Sequence, residues 1–281
     1  MLDNIDRQDT RDIEKIEIEL LLHGLYAWCG YDFRNYAYNS IRRRVLHRVN
    51  VENLPTITSL LDKVLHDSAC LQRLIGDFSI NVTEMFRDPI FFREFRNKIV
   101  PILRTYPSIR IWHAGCATGE EVYSMAILLQ EEGLYERTKI YATDINPVAL
   151  KNAKSGVFPL ERMKKYTSNY IQAGGKTAFS DYYQVTNTGV KFDSYLNKNI
   201  VFAQHNLVTD QSFNEFHVII CRNVLIYFNK HLQQRVHELF YDSLASLGIL
   251  GLGDKETIQF MPKENSYEVI NDKVKLYKKN K

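Results

Sequence analysis

Apolar positions follow two different periods along the chain. Over residues 1–75 they recur every three or four residues, as in Ile13, Ile16 and Leu20, which is the spacing of an amphipathic helix. The same spacing predicts a second helix at about 39–48, and nothing in this region alternates as a strand does. The pattern therefore predicts a helical N-terminal domain over residues 1–75.

From about residue 96 onward, short apolar runs alternate with helical segments. The predicted strands lie at about 110–113, 139–143, 199–204 and 216–221. One helix is expected between the first two strands, at 120–130, and another after the second strand, at 147–154. This order of strand, helix and strand indicates a parallel sheet with right-handed crossovers. We therefore expect an α/β, doubly wound, mostly parallel sheet over residues 96–281.

Three further segments complete the expected organisation. Residues 76–95 are predicted to form a linker, in which Asp88 would cap the helix that follows. Residues 232–247 are predicted to form a helix that ends at Gly248, before a closing antiparallel pair of strands. The stretch of about 167–197 interrupts the alternation and is predicted to be a small β insertion.

The composition excludes several classes of protein. The chain has 281 residues, 45% of them hydrophobic, and a net charge of +3, which argues against disorder and neither for nor against nucleic acid. Its cysteines, Cys29, Cys70, Cys116 and Cys221, form no C-x-x-C pair, so neither a cysteine-based metal site nor a disulfide framework is expected. No apolar run approaches the ~20 residues that span a membrane. We expect a cytoplasmic protein that needs no metal.

The strongest chemical signal is segment 113–121, His-Ala-Gly-Cys-Ala-Thr-Gly-Glu-Glu, which follows the first predicted strand. Gly115 and Gly119 would let the backbone approach a ligand at the strand ends, where open parallel sheets bind ligands. Their spacing differs from the dinucleotide fingerprint, which disfavours a nucleotide-dependent dehydrogenase. Glu120 and Glu121 would repel a phosphate and could hold a cationic amino group. Equally, they could merely favour the positive end of a helix.

Asp144 ends the next predicted strand, 23 residues after Glu121. An ionised carboxylate in this position can accept hydrogen bonds from the hydroxyls of a ribose. It could also cap the helix that begins near Pro147. Together, the glycine turn, the acidic helix start and the strand-end aspartate suggest an adenosine ligand with a positively charged end. S-adenosylmethionine has both features.

With these residues the chain resembles the chemotaxis receptor methyltransferase family, which methylates glutamate side chains of bacterial chemoreceptors. The resemblance covers roughly residues 30–280 and rests on motifs in a fixed order. These are Asn81-Val-Thr-Glu-Met-Phe-Arg87, Ala117-Thr-Gly-Glu-Glu121, Ala142-Thr-Asp144, Asn206-Leu207 and Cys221-Arg-Asn-Val-Leu-Ile-Tyr-Phe228. The resemblance implies a protein-glutamate O-methyltransferase that depends on S-adenosylmethionine.

Roles for single residues follow from the same resemblance. The expected cofactor-binding residues are Asn81, Thr83, Arg87, Gly115, Glu121, Asp144, Asn206, Leu207, Arg222 and Asn223. Glu121 matches the family acid near the methionine end, and Asp144 matches the acid that binds the ribose. Asn206 and Leu207 match the pair that flanks the adenine.

Arg87 and Tyr227 are the expected catalytic residues. Arg87 would orient the acceptor carboxylate through its fork of donors, and Tyr227 would position the sulfonium or the acceptor oxygen. Without the resemblance, Asn223 and Tyr227 would be interpreted as residues that satisfy the loop after a strand.

A basic run on the second predicted helix contains the expected substrate-docking residues, Arg42, Arg43, Arg44 and Arg48. The run resembles the family's basic helix that docks on acidic receptor helices, where opposite charge would steer association. It could instead be a solvated helix face, and nearby tyrosines leave nucleic acid open as a partner that we do not favour. The β insertion matches a family subdomain that binds a receptor tail peptide in some members, and the sequence leaves this question open.

Two other functions stay open at this point. One is a methyltransferase of the same fold with a different acceptor, and the other is a non-catalytic module that binds S-adenosylmethionine in signalling. The chain also departs from the family where Gly253-Asp-Lys-Glu256 replaces the frequent Gly-His-Ser-Glu. Residues 1–20 have no counterpart in the family pattern.

Overall fold

The computed structural model describes residues 2–79 and 83–281, and it describes side chains from residue 12 onward within the first range. The chain divides into two compact units. The first contains Met1–Ile80 and Ile226–Gln233, and the second contains Asn81–Leu225 and Gln234–Lys281. The first unit therefore takes a short segment from the second half of the sequence.

Helices make up the main part of the first unit. They are α1 (Leu2–Cys29), α2 (Tyr38–Val51), α3 (Ile57–His66) and α4 (Ser68–Phe78). The apolar faces of these helices form the core, in which Leu21, Val45 and Leu60 are fully buried. Thr56 caps α3, because its side chain accepts a hydrogen bond from the Ser59 N–H. The predicted all-α domain is confirmed.

The segment 226–233 joins the first unit through contacts with the loop before α2. The Ala37 N–H donates to the Tyr227 carbonyl at 2.7 Å. Tyr36 and Phe228 form an isolated antiparallel bridge, and their rings meet edge to face with centroids 4.9 Å apart. The aromatic contact and the backbone bond fix the segment in place.

The second unit is an α/β fold, as predicted. Its strands are β1 (Ile109–Ala114), β2 (Thr138–Asp144), β3 (Val157–Phe158), β4 (Tyr183–Thr186), β5 (Gly189–Phe192), β6 (Ile200–Gln204), β7 (Phe216–Cys221), β8 (Leu244–Leu252), β9 (Tyr267–Asn271) and β10 (Leu276–Lys279). Its helices are α5 (Pro89–Glu94), α6 (Val100–Leu103), α7 (Glu120–Glu131), α8 (Pro147–Ser155), α9 (Met163–Gln172) and α10 (Lys230–Ser243), the last beginning in the first unit.

The main sheet of the described residues has seven strands in the order β6-β2-β1-β7-β8-β10-β9. The strands from β6 to β8 are parallel, whereas β10 pairs antiparallel with both β8 and β9. Val218, Ile219 and Ile220 of the central strand β7 are fully buried, which explains its almost continuous apolar sequence. The carboxyl ends of β6, β2, β1 and β7 consequently share one edge.

A small antiparallel sheet with the order β3-β5-β4 forms the β insertion and confirms that prediction. The structure adds detail that the sequence pattern missed. Strand β3 precedes the predicted stretch, and residues 167–172 belong to helix α9. The Glu131 carboxylate of α7 accepts hydrogen bonds from the Tyr170 and Tyr182 hydroxyls, which ties the insertion to the main fold.

Two local predictions differ from the structure, one in a helix end and one in the contacts of a cap. Helix α10 ends at Ser243, and Leu244 already begins β8, because the pairing of Leu244 with Phe216 and its burial favour the sheet over another helical turn. Asp88 does occupy the N-cap position before Pro89, as predicted, but it has a left-handed φ of 54° and its side chain makes no capping hydrogen bond, because its carboxylate pairs with Arg222. Among the described residues, no helix is both long and apolar enough to cross a bilayer.

Candidate functional site

The loop after β1 is held by the end of β2. The N–H groups of Gly115 and Cys116 both donate to the Thr143 carbonyl, at 2.8 and 2.9 Å. Gly115, Ala117 and Gly119 have positive φ values of 77°, 48° and 93°. The loop therefore follows a tightly curved path between strand and helix that glycine permits and that strains Ala117.

Asp144 lies at the carboxyl end of β2 and is 8% exposed. Its Oδ2 accepts a hydrogen bond from the Ala117 N–H at 2.8 Å, and its Oδ1 accepts one from the Asn146 N–H at 2.9 Å. Burial raises the pKa of Asp144, and these backbone donors oppose the rise. Each carboxylate oxygen keeps further acceptor capacity, which suits the hydroxyls of a ribose.

Asn206 and Leu207 follow β6 at the same edge, because the His205 N–H donates to the Asp144 carbonyl at 3.2 Å. The Asn206 side chain accepts a bond from the Val208 N–H at 2.9 Å, so it closes its own turn. Leu207 is 8% exposed. The structure thus brings this expected adenine pair close in the fold to the expected ribose acid.

Two adjacent carboxylates at the start of α7 have opposite environments. Glu121 lies between His113 and Arg222, with its Oε1 3.0 Å from His113 Nδ1 and its Oε2 2.8 Å from Arg222 Nη1. Burial raises the pKa of Glu121, but His113 and Arg222 outweigh that effect and hold the pKa below its ordinary value. Burial raises the pKa of Glu120, which the Thr118 hydroxyl contacts at 2.6 Å. Glu121 is therefore the carboxylate that stays ionised most readily.

Arg222 links that carboxylate to the linker segment. Its Nη2 donates to the Asp88 carboxylate at 2.7 Å and to the Arg87 carbonyl at 3.2 Å. Its guanidinium also lies over the Phe91 ring, 4.2 Å from the centroid. Because Arg222 holds Glu121 with its other nitrogen, the geometry of the linker and of the acidic helix start are coupled.

Glu256 is a site residue whose contacts sequence reasoning did not foresee. The backbone N–H groups of Asn223, Val224 and Leu225 donate to its carboxylate at 2.8 to 2.9 Å, and the Gly253 N–H also donates to it. Burial raises the pKa of Glu256, and these donors oppose the rise. The bonds fix the loop after β7, in which Asn223 has a φ of 62°. The sequence signal for this role was Glu256 itself, which the chain shares with the frequent family motif Gly-His-Ser-Glu. The two different residues before it, Asp254 and Lys255, drew attention away from it.

Two expected residues of the linker remain. Asn81 lies outside the described residues. The Thr83 carbonyl accepts a hydrogen bond from Arg162 at 3.5 Å, and Arg87 lines a surface pocket together with Asp88.

Tyr227, the other expected catalytic residue, belongs to the first unit. The guanidinium of Arg44 lies 5.6 Å from the centroid of its ring. Arg44 is 9% exposed, and burial lowers its pKa. Tyr227 and Arg44 therefore lie next to each other in the first unit.

The other arginines of the basic run differ in exposure. Arg48 is 7% exposed and binds Asp77 through Nε and Nη2, at 2.7 and 2.8 Å. Arg42 is exposed and pairs with Glu14 of α1, whereas Arg43 is exposed with no ion pair among the described residues. Of this run, Arg42 and Arg43 are consequently the arginines that a partner can reach.

These side chains suit an adenosine ligand with a cationic end. Glu121 offers an ionised carboxylate to an ammonium group, and Asp144 offers hydroxyl acceptors at the neighbouring strand end. A Cβ added at Gly115 would lie 2.6 Å from Val224 Cγ2, so the backbone approaches the β7 loop closely there. Within the described ranges, no group of three or more His, Cys, Asp or Glu side chains could hold a metal. The absence of a metal requirement stays a prediction.

Comparison with known proteins agrees with this geometry. Residues 81–275 match the family described as CheR methyltransferase, SAM binding domain, and residues 16–79 match CheR methyltransferase, all-alpha domain. A Pseudomonas putida protein named "Putative methyltransferase Cher3" is 48% identical over 94% of this chain and 97% of its own length. The chemotaxis protein methyltransferase of Listeria innocua is 30% identical over 82% of this chain and 85% of its own. That of Escherichia coli is 29% identical over 81% and 78%.

The resemblance seen in the sequence is thereby confirmed. The match to the SAM binding domain spans more than half of the chain and includes every expected cofactor residue. The protein is an S-adenosylmethionine-dependent methyltransferase, and it belongs to the CheR methyltransferase family.

Proposed function

We propose that the protein transfers the methyl group of S-adenosylmethionine to glutamate side chains of chemoreceptors and forms methyl esters. The observation that carries the proposal is the chain of contacts from Glu121 through Arg222 to the linker at Arg87. It connects the residue expected to hold the cofactor with the residue expected to orient the acceptor. The names of the relatives support the chemotactic role.

The cofactor supplies a methyl group on a positively charged sulfur, which is already a good electrophile. A glutamate acceptor is ionised at neutral pH, so the reaction needs alignment rather than a strong base. In the proposed roles, Glu121 binds the ammonium group and Asp144 binds the ribose. Arg87 holds the acceptor carboxylate in line through two donors, without a contact so tight that it withholds the attacking oxygen.

The proposed partner is the acidic cytoplasmic helices of a chemoreceptor. Arg42 and Arg43 are exposed on α2 and would provide the steering charge. Arg44 and Arg48 are buried, so they would stabilise the position of α2 and would not contact the partner directly. A receptor tail peptide could pair with β4, an edge strand of the small sheet whose Val185 is 64% exposed. The proposed location is the cytoplasm, where these receptor helices lie.

The test uses a purified chemoreceptor cytoplasmic fragment and a cofactor labelled in the methyl group. We expect base-labile label on glutamates, and Arg87→Ala should lower kcat at least 100-fold while it raises the Kd of S-adenosylhomocysteine less than tenfold, because Arg87 is one of ten expected cofactor residues. Arg93→Ala is the matched control, because Arg93 is exposed on α5 nearby. Absence of label on the fragment, with the cofactor product still bound, would contradict the proposal in favour of another acceptor or a non-catalytic module.

A further inference from the structure

A surface pocket of about 300 Å³ lies beside Arg87 in the second unit. It is formed by the linker and by helix α9. Its lining residues are Glu84, Arg87, Asp88, Pro89, Lys165 and Asn169. The pocket thus contains the guanidinium that is expected to orient the acceptor, together with a second cationic side chain.

The acidic side chains of the pocket already have partners. Asp88 pairs with Arg222 at 2.7 Å. Glu84 accepts a hydrogen bond from Asn169 Nδ2 at 3.2 Å, and the same nitrogen donates to the Met85 carbonyl at 3.0 Å. These contacts fix both carboxylates in the pocket wall, and Arg222 balances the charge of Asp88.

Lys165 differs from these residues. It is exposed on α9, and its ammonium group forms no hydrogen bond or ion pair within the described part of the chain. Its ammonium group has three donors and lies in the same pocket as Arg87. A ligand with a carboxylate could therefore replace water at Lys165 without breaking a contact inside the protein.

We propose that this pocket receives a second carboxylate of the acceptor protein, three or four residues from the glutamate that is methylated. Lys165 would bind this second carboxylate and so favour acceptors that carry it. The inference rests on the proposed function. On a helix, side chains three or four residues apart are neighbours, with Cβ atoms ~5–6 Å apart. An acceptor helix that presents one carboxylate to Arg87 can hence present a neighbouring carboxylate to the same pocket.

The experiment compares Lys165→Glu with Lys164→Glu, since Lys164 is the adjacent exposed lysine on α9. The receptor fragment is used in two forms, with the glutamates three and four residues from the methylated site intact or replaced by glutamine. At low salt, we expect Lys165→Glu to raise the KM for the intact fragment about tenfold, and Lys165→Gln about threefold. The kcat and the Kd of S-adenosylhomocysteine should stay within twofold of wild type.

The neighbouring carboxylate is identified by the second form of the fragment. With the glutamine form, the KM of Lys165→Gln should match that of wild type, because the interaction has no partner to lose. An equal effect of Lys164→Glu, or a penalty that persists with the glutamine form, would overturn the inference and leave the proposed function intact. Failure of the wild-type protein to label either form would overturn the proposed function and the inference with it.

Discussion

The loops that follow β1 and β7 reach the same edge of the sheet, because these two strands are parallel neighbours. They are nevertheless held in different ways. The β1 loop is anchored by the end of β2, through the Thr143 carbonyl and the Asp144 carboxylate. The β7 loop is anchored by the Glu256 carboxylate, which lies about 30 residues further along the chain. The first loop is therefore held by the adjoining strand β2, whereas the second is held by the buried side chain of Glu256 and by the ion pairs of Arg222 with Glu121 and Asp88.

The largest effect expected from this comparison concerns the start of α7. Glu121→Gln keeps the shape of the side chain but removes the charge that faces His113 and Arg222. We expect the Kd of S-adenosylhomocysteine to rise roughly 300-fold, about 3.4 kcal/mol, measured by calorimetric titration. Glu120→Gln is the control and should change the Kd less than threefold. Equal losses for the two variants would contradict the different roles of these carboxylates.

A smaller effect is expected for the anchor of the β7 loop. Glu256→Gln would place an amide nitrogen against backbone N–H donors and leave buried groups unsatisfied. We expect the free energy of unfolding to fall by about 2.5 kcal/mol, measured by urea denaturation. Asp254→Asn in the same motif should have almost no effect, because Asp254 is exposed. If the free energy of unfolding of Glu256→Gln equals that of wild type, the β7 loop does not need the Glu256 carboxylate to keep its conformation.

The contact between the two loops can be tested through Gly115. Gly115→Ala would place a methyl group against Val224 and force a side chain into a φ of 77°. We expect a loss of about 2 kcal/mol in stability. Adding Val224→Ala should recover the part that comes from the collision, and the unrecovered part measures backbone strain. If the second change recovers nothing, the loops do not press on each other.

The smallest expected effect concerns the pH dependence of stability and comes from helix α10. Burial lowers the pKa of His237 on α10 to about 4, and its Nδ1 has no hydrogen-bond partner among the described residues. The folded state therefore binds this proton more weakly than the unfolded state, and stability is lost as the pH falls from about 6.5 toward 4.

His237→Leu should remove this loss. We expect wild type to lose about 1.4 kcal/mol from this group between pH 8 and pH 5.5, and the variant to lose none of it. Thermal unfolding at both pH values provides the measurement. His66→Gln is the control, because the side chain of His66 is 76% exposed. An unchanged pH dependence in His237→Leu would show that His237 does not carry this acid sensitivity, and would leave His217, whose pKa burial also lowers, as the next group to test.

The comparison also explains what the sequence could predict. The β1 loop has its glycines, its acids and its strand ends within one stretch from His113 to Asp144, so local pattern and spacing identified it. The β7 loop could be recognised only by family resemblance, because its anchor is distant and its geometry depends on burial. The pairing of Asp88 with Arg222 could not be predicted for the same reason. A helix-start motif predicts that the Asp88 side chain caps the helix, but in the structure this side chain pairs with a residue that is distant in the sequence.

Helix ends and side-chain exposure were harder to predict than the order of the elements. The apolar run after α10 fits a helix or a strand equally, and pairing with β7 decided for β8 from Leu244 onward. The basic run of α2 likewise gave no sign that Arg48 would be buried against Asp77 while Arg43 stays exposed. Sequence periodicity indicates which face of a helix is apolar, but it does not indicate which charged side chains form ion pairs with residues distant in the sequence.

The first unit is built from two segments that are distant in the sequence, and this has a consequence for synthesis in the cell. Residues 226–233 complete this unit, with the Tyr227 carbonyl bonded to Ala37 and the Phe228 ring against Tyr36. On the ribosome, helices α1 to α4 emerge long before that segment is translated. The first unit is thus begun before the second but cannot be completed until residues 81–225 of the second have been made. A fragment that ends near residue 80 exposes the surface that Phe228 covers in the whole protein.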